Sequence, residues 1–213
     1  MKKQVLVLLS ILVFALSAFA QNSKYQEAMQ SAIASLDQAA GPDEYLACAS
    51  RFERIAGAEK TLWMPYYYAS YALVVMSFDE ADGSRTDLLL DRAQELLDTA
   101  LELEPDESEL HVLQAFLYPS RILVDPMNRG MQYMELIYSS LARAKALNPE
   151  NPRIYFLEGV NKANLPPAMG GGPDVARPIL EESVAKFETF TQDDPLWPQW
   201  GEEAARSELE KLQ

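Results

Sequence analysis

The chain has 213 residues, 48% of them hydrophobic, with 32 acidic residues against 18 basic ones and a formal net charge of −14. Such a surface repels nucleic-acid phosphates and anionic lipid, which excludes recognition by counterion release, and the length suffices for one compact domain or one short solenoid. The only cysteine, Cys48, excludes an intramolecular disulfide, so the hydrophobic core alone must hold the fold.

Residues 1–20, MKKQVLVLLSILVFALSAFA, join two lysines to an apolar stretch from Val5 to Phe19 and a small-residue ending, the pattern of a cleaved export signal. The apolar run falls short of the roughly 20 residues that span a bilayer. Gln21 follows it where a lipoprotein needs cysteine. A soluble periplasmic or secreted protein is expected, formed by residues 21–213 as one domain, with no stable membrane insertion. Cleavage removes two basic and no acidic residues, which takes the net charge to −16.

From Tyr25 onward apolar residues recur at spacings of three and four, and breaks rich in Pro, Gly and Asp arrive at steady intervals. The pattern predicts helices over 24–39, 43–57, 64–78, 87–103, 108–122, 128–147, 152–164, 175–190 and 198–211, an all-α chain. Pro105 and Pro149 follow the helices they end, Pro152 suits a first turn, and Asp87 and Asp174 are candidate caps. Cys48, among Leu46, Ala47 and Ala49, reads as a small packing residue. The segment "WMPYYYASY" holds too many rings for one helix face, so at least one ring should reach solvent or a pocket.

The breaks repeat. Pro105, Pro149 and Pro195 close "LELEPDES", "ALNPENP" and "TQDDPLWP" at a period near 45 residues. In the helix beginning each unit a large residue precedes a small one by four positions: Tyr68 and Ala72, His111 and Ala115, Tyr155 and Gly159. A fourth copy fits near Trp200 and Ala204, and nearly as well when slid by one residue. Large-then-small spacing lets the helices of a hairpin approach closely and stack on the next hairpin.

With Gln114, Tyr118, Leu141, Ala144 and Pro149 around His111 and Ala115, the pattern resembles the tetratricopeptide (TPR) repeat over residues 63–196. The period is longer than the usual 34 residues of that repeat. The excess falls at "DEADGSRTD", "PSRILVDPMN" and "LPPAMGGGPD". The resemblance implies a right-handed helical-hairpin solenoid of about four hairpins with the polar helix from Glu202 to Lys211 as an end cap. It also implies a concave face lined by Tyr66, Leu73 and Met76, by Glu109, Val112 and Phe116, and by Arg153, Phe156 and Val160. Tyr68, Ala72, His111, Ala115, Tyr155 and Gly159 are then repeat-packing positions, with His111 buried.

Other chemistry finds little purchase. Gly170, Gly171 and Gly172 precede a helix as in phosphate-binding loops, but Pro173 and Asp174 replace the lysine and hydroxyl such loops need, so a close-packed corner is expected. Phe78 and Leu89 stand where a calcium loop around Asp82-Gly83 needs its first and last ligands. Gly130, Met131 and Gln132 are similar to a lytic transglycosylase signature, yet the nearest acid, Glu107, lacks the motif that should join them. No catalytic residue, metal or cofactor is expected. The function expected is an exported, non-enzymatic scaffold that binds a protein or peptide. The alternatives are a small-molecule-binding component of a solute-uptake system, whose long loops around Met127 and Met169 would bury Phe116 and Phe156, and a cell-wall enzyme.

Overall fold

The computed structural model describes residues 23–212, which are helical with no strand among them. The export signal lies outside the described residues. Four hairpins follow one another: α1 (23–37) with α2 (Pro42–Ala58), α3 (Trp63–Phe78) with α4 (Gly83–Leu103), α5 (Ser108–Val124) with α6 (Pro126–Leu147), and α7 (Pro152–Asn164) with α8 (Pro173–Thr189). A short helix, α9 (Glu202–Glu210), packs on α8. The helices that open successive hairpins, α3, α5 and α7, also touch one another and form the inner face of the array.

Local chemistry sets the boundaries. Asp82, Glu107, Asp125 and Asn151 each accept a backbone N–H of the helix they precede, from Ser84, Glu109, Asn128 and Arg153. Two expected caps are therefore corrected. Asp87 lies one turn inside α4, where it holds Arg121 and Arg129, and Asp174 makes no side-chain cap because Gly172 precedes α8.

The glycine corner is close-packed. The amides of Gly170, Gly171 and Gly172 donate to the carbonyls of Pro167, Pro166 and Lys162 at 3.0, 3.2 and 2.8 Å, so none is left for an anion. Gly170 and Gly172 have φ of 78° and 100°, and a Cβ on Gly171 would stand 2.3 Å from that of Leu165.

Two apolar clusters form the core. The first joins α1 to α5 through Phe52, Tyr67, Leu73, Leu90, Leu97, Leu110 and Leu113. The second joins α5 to α9 through Val112, Ile137, Leu141, Ile154, Leu180 and Ala205, and the rings of Phe116 and Tyr118 pack against both. The repeat positions contribute unequally. Ala72 and Ala115 are fully buried, and a Cβ on Gly159 would meet Leu180 of α8 at 2.6 Å, the close approach that large-then-small spacing anticipates.

His111 is only half-buried, which corrects its expected burial: its Nε2 reaches the Pro105 carbonyl at 3.0 Å. The Tyr155 hydroxyl donates to the Pro149 carbonyl at 2.9 Å, also six residues back, so these two positions are equivalent. Tyr68 differs, stacking on Phe52 and donating to the carbonyl of Leu196.

The largest departure from expectation is the segment between α8 and α9. Residues 198–201 are not helical, because prolines at 195 and 198 deny amide donors and Gly201, at φ 106°, turns the chain. Trp200 thus precedes α9, and the fourth repeat copy at Trp200 and Ala204 does not exist: Ala204 is exposed while Ala205 is buried. Residues 191–201 instead run as an irregular strap that places Leu196, Trp197 and Trp200 against the inner face. Among the described residues no helix is long and apolar enough to cross a membrane.

Candidate functional site

The inner face is where sequence reasoning placed a groove, and the structure fills much of that groove from within. Leu73, Glu109 and Val112 are fully buried, and Met76, Arg153 and Phe156 are 6%, 2% and 8% exposed. Tyr66, Phe116 and Val160 are half-buried, with the Tyr66 hydroxyl pointed at the carbonyl of Ala56. Six of the nine groove positions are therefore buried in the core, and only Tyr66, Phe116 and Val160 keep part of their surface. The loops around Met127 and Met169 are not the cover, since those side chains are 93% and 64% exposed. The strap is.

Rings and a buried polar network hold the strap down. Trp197 sets its edge on Trp63 with centroids 5.7 Å apart. Trp200 stacks on Tyr71 and on Phe116, both at 5.2 Å, and meets Phe156 edge-on at 6.4 Å. The Trp200 indole N–H donates to the Tyr67 hydroxyl at 2.7 Å, and Tyr67 in turn donates to Glu109 at 3.4 Å. Arg153 forms an ion pair with Glu109 at 2.9 Å, with side chains 3% and 0% exposed, while Asn151 donates to the same carboxylate oxygen at 2.9 Å. A charged pair this deep is tolerable only when its remaining donors are satisfied, and Arg153 spends them on the carbonyls of Trp200 and Pro198.

Where the strap ends against α1 and α2 a cleft of about 420 Å³ remains, lined by Ile33, Leu36, Asp37, Ala39, Tyr45, Tyr68, Tyr71, Gln199 and Trp200. Its walls mix aromatic and aliphatic surface with the polar groups of Asp37, Gln199 and the tyrosines, and its volume lies in the usual range for a small-molecule site. Sequence reasoning named Tyr68 and Trp200 only as repeat positions and, apart from the ring-rich segment that holds Tyr71, did not single out the rest of the lining. The signal was the surplus of rings in "WMPYYYASY", of which Tyr68 and Tyr71 do reach this cleft.

Burial raises the phenols of Tyr68 and Tyr71 well above the ordinary tyrosine range and raises that of Tyr45, with the Asp79 carboxylate adding to the last. All three are neutral donors near pH 7. Partial burial also lifts the Asp37 carboxyl at the margin. Among the described residues the lining holds no His, Cys or Met; His111, on α5, faces the Pro105 carbonyl. Glu107, the acid weighed for a cell-wall enzyme, caps α5 through the Glu109 amide at 3.0 Å, and burial raises its carboxyl.

No family model matches the chain, and no curated protein matches it. Among solved structures it is similar to the HusA haemophore from Porphyromonas gingivalis, at 35% identity with a TM-score of 0.81, over 89% of this chain and 92% of that one. The chain belongs to the HusA family. A thermophilic TPR protein from Thermus thermophilus is similar at 18% identity and a TM-score of 0.64, over 88% of this chain and 80% of that one, which shows the shared TPR-like fold. In this HusA-family chain that fold carries the internal strap and the aromatic cleft beside it.

Proposed function

We propose that this chain is an exported, non-enzymatic component of a solute-uptake system that holds a flat aromatic molecule, haem or a related porphyrin, in the cleft walled by Trp200. The observation that carries this reading is the Trp200 ring, stacked on Tyr71 at the wall of a 420 Å³ cleft beside Tyr45 and Tyr68. Membership in the family of a haemophore supports the choice of ligand. Ring faces give broad, desolvated contact at little cost in side-chain entropy, which suits a macrocycle better than an extended peptide.

The lining also decides how the ligand is gripped. Among the described residues no imidazole or thioether lines the cleft and its phenols are neutral, so stacking and apolar burial are the main sources of affinity in this reading. Titration of the purified chain with haem and with iron-free protoporphyrin, read from the main absorption band and from tryptophan quenching, tests both points. Saturable one-to-one binding with similar affinities for the two is expected. Trp200→Ala or Tyr71→Ala should weaken both by about tenfold or more, the effect of losing ~1.4 kcal/mol. Absence of binding, or binding indifferent to both substitutions, defeats the reading.

A protein-binding role has one observation of its own. Leu88, Leu123, Met127 and Met131 are exposed around the turns inside the second and third hairpins. Pull-down with Leu123→Glu and Met127→Glu variants separates such a partner from cleft binding, since these side chains do not line the cleft.

A further inference from the structure

Gln199 and Trp200 line the cleft, yet neither belongs to a helix, so their position depends on what grips the strap. The grip comes from residues outside the cleft. Arg153 Nε donates to the Trp200 carbonyl at 2.7 Å and one terminal nitrogen donates to the Pro198 carbonyl, while the other meets Glu109. The Trp200 indole N–H reaches the same carboxylate through the Tyr67 hydroxyl. Backbone and ring of one residue are thus tied, by two routes, to a single buried acid on α5.

Three helices supply this grip, Tyr67 from α3, Glu109 from α5 and Arg153 from α7. A loop tryptophan held by stacking alone would exchange between rotamers. One whose carbonyl and N–H are both fixed presents a single ring plane, and preorganisation of that kind reduces the ordering cost of binding.

We propose that Glu109 and Arg153 are positioning residues for the cleft: they set its affinity by fixing the plane of Trp200, without touching the ligand. The proposal rests on the small-molecule reading above. The guanidinium fork is essential to it, because Arg153 reaches Glu109 and the two carbonyls with three separate nitrogens, a span that the single nitrogen of lysine does not cover. Arg153→Lys therefore keeps the buried charge pair and loosens the strap, whereas Arg153→Ala would leave Glu109 buried and unpaired and endanger the fold.

The test combines one readout without ligand and one with it. In the ligand-free chain, hydrogen exchange at the Trp200 indole, followed by NMR, should be about tenfold faster in Arg153→Lys than in the parent, with the Trp63 indole unchanged. In haem titrations Arg153→Lys should lose about tenfold in affinity, but less than about twofold when Trp200→Ala is already present, because residues acting through one contact are not additive. A Trp200 indole as protected in Arg153→Lys as in the parent overturns the proposal. So do parental affinity in that variant, or losses that multiply in the double variant. Should the parent bind no haem, the ligand reading fails, and indole exchange alone decides whether the grip exists. Glu109→Asp, which keeps the charge pair but shortens its reach to Arg153 and Tyr67, provides a second variant and should shift both readouts in the same direction.

Discussion

Asp87 carries more than its place in the chain announced. Its carboxylate accepts from both terminal nitrogens of Arg129, at 2.7 and 2.8 Å, and from Arg121 at 3.1 Å, which binds α4 to α5 and α6. The hydrogen bond from Arg129, with Arg121 added, holds its carboxyl below the usual carboxylate value despite partial burial. A carboxyl depressed in the folded state stabilises fully above its unfolded value, near pH 4, and that contribution fades as pH falls through the folded value. Asp87→Asn should cost about 1–2 kcal/mol at pH 7, the usual scale for a charged hydrogen-bonded site, and the difference from the parent should shrink below pH 4. Urea midpoints measured across that range check it. A motif search had no means of finding this role: it read Asp87 as a cap because Pro, Gly and Asp mark turns, whereas Asp82 took the cap and α4 began a turn earlier.

At the scale of elements, the hairpins were legible because one face of each helix repeats with period 3.6 and prolines punctuate the turns. The strap was not. Its Trp200 mimics the large residue of a repeat helix, and only prolines at 195 and 198 argue otherwise. Its docking depends on contacts such as Tyr68 to Leu196, 128 residues apart, that no local window holds.

The glycines make sharper predictions. Gly171→Ala should cost more than about 2 kcal/mol, since its Cβ would lie 2.4 Å from the Leu165 carbonyl oxygen and the corner has no slack. Gly159→Ala gains helix propensity but drives Leu180 from α8, so a smaller net loss of about 1 kcal/mol is expected. Thermal and urea unfolding of the two variants rank them, and a stabilised Gly159→Ala would show that α7 and α8 can separate freely.

For the whole molecule, a stack of hairpins should behave as a chain of nearest neighbours that frays from its ends. The strap changes this by joining the last helices to the first: Leu196 and Trp197 lie in the cluster formed by α1 to α5, and Arg153 ties α7 to the same segment. Native-state hydrogen exchange of the parent should therefore place α2, α3 and α7 in one cooperative unit. In Trp197→Ala/Trp200→Ala the α2 and α3 amides should exchange at a lower free energy than those of α6, by about 1 kcal/mol or more. The sequence made the array and its acidic surface readable. What covers the inner face was not readable, because aromatics at matching repeat positions look alike whether solvent, a ligand or the chain itself covers them.

Two of the nine residues that line the cleft, Gln199 and Trp200, come from a short irregular segment, and the others from α1, α2, α3 and the turn after α1. Gln199 is the exposed cleft residue of that segment, so its codon can be randomised while Leu196, Trp197, Pro198 and Trp200 keep their buried or paired places. A display library at that codon would vary the rim of the cleft and leave the buried ties in place, much as an interchangeable bit alters a tool without reforging the handle.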